Sequence, residues 1–347
     1  MSAASNRIAF QVKAGSAVAS SDPRRTERLL TGLRTELNMD GPTAHCLIEF
    51  GDLEQEAPSP GDPVEISLDN GDGSQTVFTG QVAEARASAT GQQILAHTSL
   101  TGLGSLELES VYEGVAADFV IKDLLDQAGA SAGTVAKGPD LNAYVVHRGP
   151  TVLGHLRQLA LLCGADLVAD GSDTLHCLAP DPGATEHSFK FGASLLRLDL
   201  QHRPPTFDSI EVWGEGAASA KGADKAHWLC TDLSGVSGKA GVNAQGQVQP
   251  GTLGKRPLRL IEGALRSGEA AEAVAKAWAT RIASLWIRGS VDVYCSPAVQ
   301  PGEHVKITNL PASHPASTLL GQGHSLRVRK VCHRLDRQRG AITTLGF

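Results

Sequence analysis

Apolar and polar residues alternate in two closely similar phrases near opposite ends of the chain. PGDPVEIS (Pro60–Ser67) places Val64 and Ile66 two apart, and PGEHVKIT (Pro301–Thr308) does the same with Val305 and Ile307. Pro-Gly ends the preceding segment, and period-two alternation is the pattern of a half-buried strand. In both places there follow a turn, a longer strand (GQVAEARASAT; LRVRKVCHRLD), a glycine and a last strand (GQQILAHTSL; GAITTLGF). The shared order predicts the same strand in two related β-domains, residues 62–68 and 303–310. A solenoid repeat is excluded, because its copies stand in tandem at short period.

The same pattern divides the rest of the chain. Residues 1–108 carry short alternating runs such as RIAFQVKAG and AHCLIEFGD, with a possible helical turn in SSDPRRTERLLTGLRTE. Asn70-Gly71-Asp72-Gly73 lies between two runs and signals a hairpin, because tight turns need positive φ at their centre. This region is expected to be a first antiparallel barrel. Residues 109–195 change period. Val120, Ile121, Leu124, Leu125 and Ala128 define one helix stopped by Gly129, and Leu153, Leu156, Leu159, Ala160 and Cys163 define another stopped by Gly164, with Pro150 near its start. NAYVVHRG and ADLVADGSDTLHCLAPD read as strands, giving a small α+β domain.

A second barrel is expected from residues 196–216 and 289–347, interrupted by 217–288. The interruption begins as a glycine- and alanine-rich excursion, Ala217 to Gly254, with few large apolar residues to bury. It ends in a helix with Ser267 as N-cap and Ala271, Val274, Trp278, Ile282 and Leu285 on one face. The fold class is therefore α+β, mainly β.

Composition narrows the function. With 347 residues, 31 basic and 37 acidic, the formal charge of −6 gives no general attraction for nucleic acid. RVRKVCHRLDRQR (Arg327–Arg339) is the most basic stretch, but it alternates with Val328, Val331 and Leu335 and reads as a solvated strand face. No secretion signal or apolar run long enough to cross a membrane is present in the sequence. The six cysteines (46, 163, 177, 230, 295, 332) have no metal-ligand spacing, and no metal, cofactor or disulfide is expected. Histidines beside three of them, His45, His176 and His333, would point to opposite strand faces from their neighbours.

Catalytic candidates are sparse. GQGHSLR is not a nucleophile elbow, because strands flank it on both sides. His147 and His155 have Asp166 or Asp170 as acid–base partners, without a nucleophile to complete a set. A glycan-binding middle domain has only Tyr112, Phe119 and Tyr144 for sugar stacking. A cell-wall glycan-binding or hydrolytic component is accordingly the alternative to a structural role.

The order of a β-domain, a helix-containing middle and a split β-domain resembles the baseplate hubs of contractile tails: phage late-control D proteins and the N-terminal part of VgrG. The resemblance spans nearly the whole chain, through VYEGVAADFVIKDLLDQAG, YVVHRGPTVLGHLRQLALLCGADLVAD and LRSGEAAEAVAKAWATRIA ahead of PGEHVKI. Its most telling piece is the tail carried by Val331, His333, Leu335, Asp336, Gly340, Thr343, Thr344 and Leu345. The resemblance implies a non-enzymatic homotrimer of pseudo-sixfold symmetry that joins a hexameric tail tube to a spike. Other baseplate proteins and a tape-measure protein are further implied partners, and DNA would at most pass through the lumen. The duplicated strands, and with them Val64, Ile66, Val305 and Ile307, are the expected interface. Because the chain ends after the second barrel, the spike is expected to be a separate polypeptide. The resemblance further implies that the particle is a virion tail or injection device, synthesised in bacterial cytoplasm.

Overall fold

Seven strands open the fold: β1 (Ala9–Ala14), β2 (Ala17–Ser20), β3 (Leu30–Asn38), β4 (His45–Phe50), β5 (Pro63–Asp69), β6 (Gln75–Ser88) and β7 (Gly91–His97). The computed structural model describes residues 8–52, 56–203, 205–214, 236–243, 246–321 and 325–347. All pairings among these seven strands are antiparallel, in the order β3-β4-β7-β6-β5-β1-β2. The β5–β6 hairpin turns at Asn70–Gly73, with Gly71 and Gly73 at φ +105° and +114° and both N–H groups donating to Asp69 Oδ1. The proposed helical turn shrinks to a turn at Asp22–Arg25, and Leu30 onward is strand.

The middle of the chain alternates: β8 (Ser110–Ala116), α1 (Ala117–Gln127), β9 (Ala132–Val135), β10 (Asp140–Val146), α2 (Val152–Leu162), β11 (Asp166–Ala169) and β12 (Leu175–Leu178). Val120, Ile121, Leu124 and Leu125 are buried, as the spacing predicts. Both helices end on the expected glycines at positive φ, and Ala130 and Ala165 N–H reach back to Leu125 and Ala160 C=O. Pro150 stands one residue before the α2 N-cap, Thr151, whose Oγ1 accepts from Gly154 N–H.

The remainder comprises β13 (Glu186–Lys190), β14 (Leu195–His202), β15 (Ser209–Trp213), β16 (Ser237–Val242), β17 (Val248–Pro250), β18 (Pro257–Ile261), α3 (Gly268–Ala283), β19 (Ile287–Tyr294), β20 (His304–Thr308), α4 (Pro315–Leu320), β21 (Ser325–Arg327), β22 (Lys330–Asp336) and β23 (Gly340–Gly346). Part of the glycine-rich excursion, with Cys230, lies outside the described residues. The rest of it departs from expectation, because its β16 and β17 join β15 and β18 in a four-stranded sheet under α3. Small residues are what this packing requires. A Cβ on Gly238 would stand 2.3 Å from the Ala271 carbonyl, so glycine in β16 lets α3 lie close.

The protein is mainly β, with several predominantly antiparallel sheets, and none of them closes on itself. The two halves share one open sheet of order β14-β19-β23-β22-β3-β4-β7-β6-β5-β1-β2. Its intramolecular seam is the antiparallel pairing of β22 with β3, from Lys330 opposite Asn38 to Asp336 opposite Gly32.

Candidate assembly edges

The duplicated phrase folds into the same turn twice. Gly61 N–H donates to Val82 C=O and Val82 N–H to Asp62 C=O, both at 2.8 Å. In the second copy Gly302 N–H donates to Val328 C=O and Val328 N–H to Glu303 C=O, again at 2.8 Å. The acid in each phrase closes its turn, with Asp62 Oδ2 accepting from Ser59 N–H at 2.8 Å and Glu303 Oε2 from Gln300 N–H at 2.7 Å. Glycine is needed at the centre because φ is +91° at Gly61 and +97° at Gly302.

Strand order repeats with the turn. β3-β4-β7-β6, continued by β5 and β1, corresponds to β14-β19-β23-β22, continued through β21 by β20 and β13. One relation differs: β1 runs antiparallel to β5, whereas β13 runs parallel to β20. Val64 and Ile66 point into the large core shared with the middle of the chain. Val305 lies in a separate small core with Val291, Val293, Val299, Val328, Val331 and Leu345, and half-buried Ile307 packs against it. The structure therefore keeps the two pairs apart and turns them inward.

Among the described residues the shared sheet ends on β2 at one side and on β14 at the other, and β6 leaves a further stretch of open edge; β14 and β6 are the counterparts of β3 and β22, the two strands of the seam. β14 is bonded only to β19. β6 is covered by β5 only as far as Gln81, and from Glu84 to Ser88 its strand partner is β7 alone. At the internal seam β22 supplies the same flank to β3. Both exposed edges carry ion pairs along the strand: Glu84 with Arg86 at 2.5 Å and Arg197 with Asp199 at 3.4 Å. The seam carries a buried counterpart. Burial opposes ionisation of Glu36, but hydrogen bonds from Lys330 and Arg34 hold its carboxyl below the usual range. Sequence reasoning missed these edges, which depend on which strand lies beside which.

The basic stretch divides between two environments. Arg327 and Arg329 are buried and bind Asp166, with Arg327 Nη1 at 2.8 Å and Arg329 Nη1 at 3.0 Å from its Oδ2, while Arg281 bonds Oδ1 at 2.9 Å. They are not a solvated strand face, because Asp166 on β11 draws them inward. Burial raises the cost of charge on Asp166, yet Arg329, Arg281 and Arg327 hold its carboxyl well below the usual range.

The acid–base candidates have other partners. Buried His155 places Nδ1 3.1 Å from the Tyr144 hydroxyl and Nε2 3.3 Å from the His147 carbonyl. His176 accepts from Thr134 N–H at Nδ1, so Nε2 carries the proton toward Asp170 Oδ2 at 3.1 Å, and both nitrogens are engaged. Gln322 to His324 of GQGHSLR lie outside the described residues. Of the three stacking candidates, Tyr112 and Tyr144 are buried and Phe119 is exposed. Among the described residues no cluster of histidine, cysteine and carboxylate is arranged to hold a metal ion, and no helix is long and apolar enough to cross a membrane.

No family model matches the chain, and no curated protein matches it. Solved structures do. The fold is similar to a 43 kDa tail protein of prophage MuSo2 from Shewanella oneidensis, with a TM-score of 0.67 over 98% of both chains at 12% identity. It is also similar to a tail protein from Neisseria meningitidis MC58, with a TM-score of 0.65 at 15% identity over 98% of this chain and 95% of that one. A third similar structure is an Escherichia coli type VI secretion component, itself described as resembling the T4 bacteriophage tail proteins gp27 and gp5. Its TM-score is 0.54 at 10% identity, over 97% of this chain and 75% of that one. The shared property is the fold of tail-type proteins along essentially the whole chain.

Proposed function

We propose that the protein is a structural, non-enzymatic hub of a contractile phage tail or related injection particle, a homotrimer joining a sixfold tube to a threefold spike. The observation that carries this reading is the repeated unit itself: the same strand order and turn twice in one chain, with the copies already joined through β22 and β3. The likeness to tail-protein folds supports the same assignment.

The free edges supply the rule for assembly. If the Glu84–Ser88 edge of one copy pairs with β14 of the next as β22 pairs with β3, the contact is head-to-tail and closes after three copies into a ring of six related units. A threefold object then presents six similar surfaces to the tube. In this arrangement residues 1–108 and residues 196–216 with 289–347 are the two related barrel-like domains, with 109–195 and 217–288 outside the ring wall. Val64, Ile66, Val305 and Ile307 support the edges from the core side. Other baseplate proteins and a tape-measure protein complete the partners, DNA passes at most through the lumen, and the site of action is the particle.

Light scattering of the purified chain tests the ring, with a mass three times that of the chain expected. Arg86→Cys, combined in turn with Arg197→Cys, Asp199→Cys and Gln201→Cys, should give an intermolecular disulfide for at least one combination, running as a covalent trimer on a non-reducing gel. A stable monomer at high concentration, with no cross-link from any combination, overturns it.

A further inference from the structure

One irregularity marks the same place in both halves of the shared sheet. Thr31 is an extra residue of β3 against β4, between Leu30 opposite Phe50 and Gly32 opposite Glu49. Leu196 is the same extra residue of β14 against β19, between Leu195 opposite Val293 and Arg197 opposite Asp292. Arg197 is therefore the counterpart of Gly32, and Asp292 of Glu49. Glu49 faces Gln93 and Gln93 faces Arg86, whereas Asp292 faces Thr344 and Thr344 faces Cys332, so Arg86 is the counterpart of Cys332. The same alignment pairs Val82 with Val328, as the hydrogen bonds of the two Pro-Gly turns independently require.

At the seam Lys330 faces Asn38, Cys332 faces Glu36 and Arg334 faces Arg34. The counterparts of these pairs set Glu84 opposite Arg203, Arg86 opposite Gln201 and Ser88 opposite Asp199. We propose that β6 of one copy joins β14 of the next in this register, with Glu84 pairing with Arg203 and Arg86 with Asp199 across the boundary. The register rests on the ring described above and names the residues that hold it. The diagonal from Arg86 to Asp199 is the one that Lys330 Nζ and Glu36 Oε1 span at 2.5 Å in the seam. Each edge's own ion pair, Glu84 with Arg86 and Arg197 with Asp199, thereby opens to a partner on the neighbouring copy. On the other face Ala85 and Ala87 come opposite the larger His202 and Leu200, so small side chains on one edge leave room for large ones on the other. Charge also selects the register. A slip of two residues one way sets Arg86 against Arg203, and the other way takes Glu84 from Arg203 and brings it beside Asp199; a slip of one turns the faces over.

The experiment follows the mass of the full chain by light scattering through a dilution series, and bridges cysteines placed on the two edges with dibromobimane, which joins only closely apposed thiols. Glu84→Arg and Arg203→Glu should each raise the concentration at which half the chain is trimeric by about tenfold, and the double variant should return it to near the unsubstituted value. With Arg86→Cys in place, a covalent trimer should form fastest with Gln201→Cys and more slowly with Asp199→Cys or Arg203→Cys. The cysteine series reads the register without relying on the charge variants. A trimer whose double reversal is no better than the single ones, or whose fastest bridge is to Asp199→Cys or Arg203→Cys, overturns the register and leaves the ring standing. An unsubstituted chain that stays monomeric at every concentration overturns the ring, and the register with it.

Discussion

Arg329 grips Asp166 across 163 positions of sequence, with Nη1 3.0 Å from Oδ2 and Nη2 3.2 Å from Oδ1. Arg329 also reaches Asp40 Oδ1 at 2.8 Å, so one side chain ties the linker between β21 and β22 to β11 and to the segment after β3. Arg281 from α3 and Arg327 from β21 complete the cluster. Asp166→Asn should therefore destabilise the fold strongly, by about 3–5 kcal/mol, because it leaves three guanidinium groups around a neutral amide. Urea unfolding of the two forms measures it. A loss below about 1 kcal/mol would show that solvent already compensates these charges.

Acid should weaken the protein through two groups. Burial lowers the His333 imidazole from 6.5 to about 4 in the fold, where it stays neutral beside Thr343 Oγ1. Its contribution is fully present above pH 6.5 and falls as pH drops toward 4, because the unfolded chain binds a proton that the folded chain refuses. About 3 kcal/mol is at stake over that window. Asp166 has a depressed carboxyl, so its contribution is present above its ordinary value of 3.8 and falls in stronger acid. Stability measured from pH 7 to pH 4 should decline in wild type and decline less in His333→Gln. Equal slopes would remove His333 from the account.

The two copies of the turn should respond alike to loss of their acid. Asp62→Ala and Glu303→Ala each remove a carboxylate that closes the turn on a backbone N–H, and each should cost about 1–3 kcal/mol. The two turns share no partner, so the double variant should lose about the sum. Chemical denaturation of the three variants gives the comparison; strong non-additivity would mean that the halves are coupled through the seam.

Close approach of α3 to β16 can be checked by adding one methyl group. Gly238→Ala should destabilise by about 1–3 kcal/mol, because its Cβ meets the Ala271 backbone at 2.3 Å. Gly102→Ala, where nothing lies within 4 Å of the added atom, is the control and should be near neutral. Equal melting temperatures for the two variants would indicate that the helix shifts freely on its sheet.

Burial separates the four residues of the repeated strand. Ile66, fully buried in the large core, should lose about 2–5 kcal/mol on change to Ala. Ile307 is only half-buried at the border of two small cores, and Ile307→Ala should cost less. A thermal melt of each variant distinguishes them, and a larger loss at Ile307 would contradict the packing described.

Local patterns in the sequence were enough for most elements. The period of α1 and α2 and their closing glycines follow from helix geometry, and Asn70–Gly73 from the positive φ that a tight turn requires. The duplicated Pro-Gly phrase is also local, because its acid bonds a backbone N–H three residues away. β3 was hidden because its residues are buried on both faces, between β4 and a β22 that arrives from the other end of the chain. The glycine-rich excursion looked unable to bury anything, since composition counts large apolar groups and not the closeness of a helix that small residues permit. Arg327 and Arg329 looked solvated for the same kind of reason: their carboxylate lies on a strand far away in sequence. Strand identity and turn chemistry depend on neighbours along the chain, and the sequence by itself determined them. Sheet order, the seam, the open edges and the buried charge cluster depend on neighbours across space, and only the tertiary structure decided those.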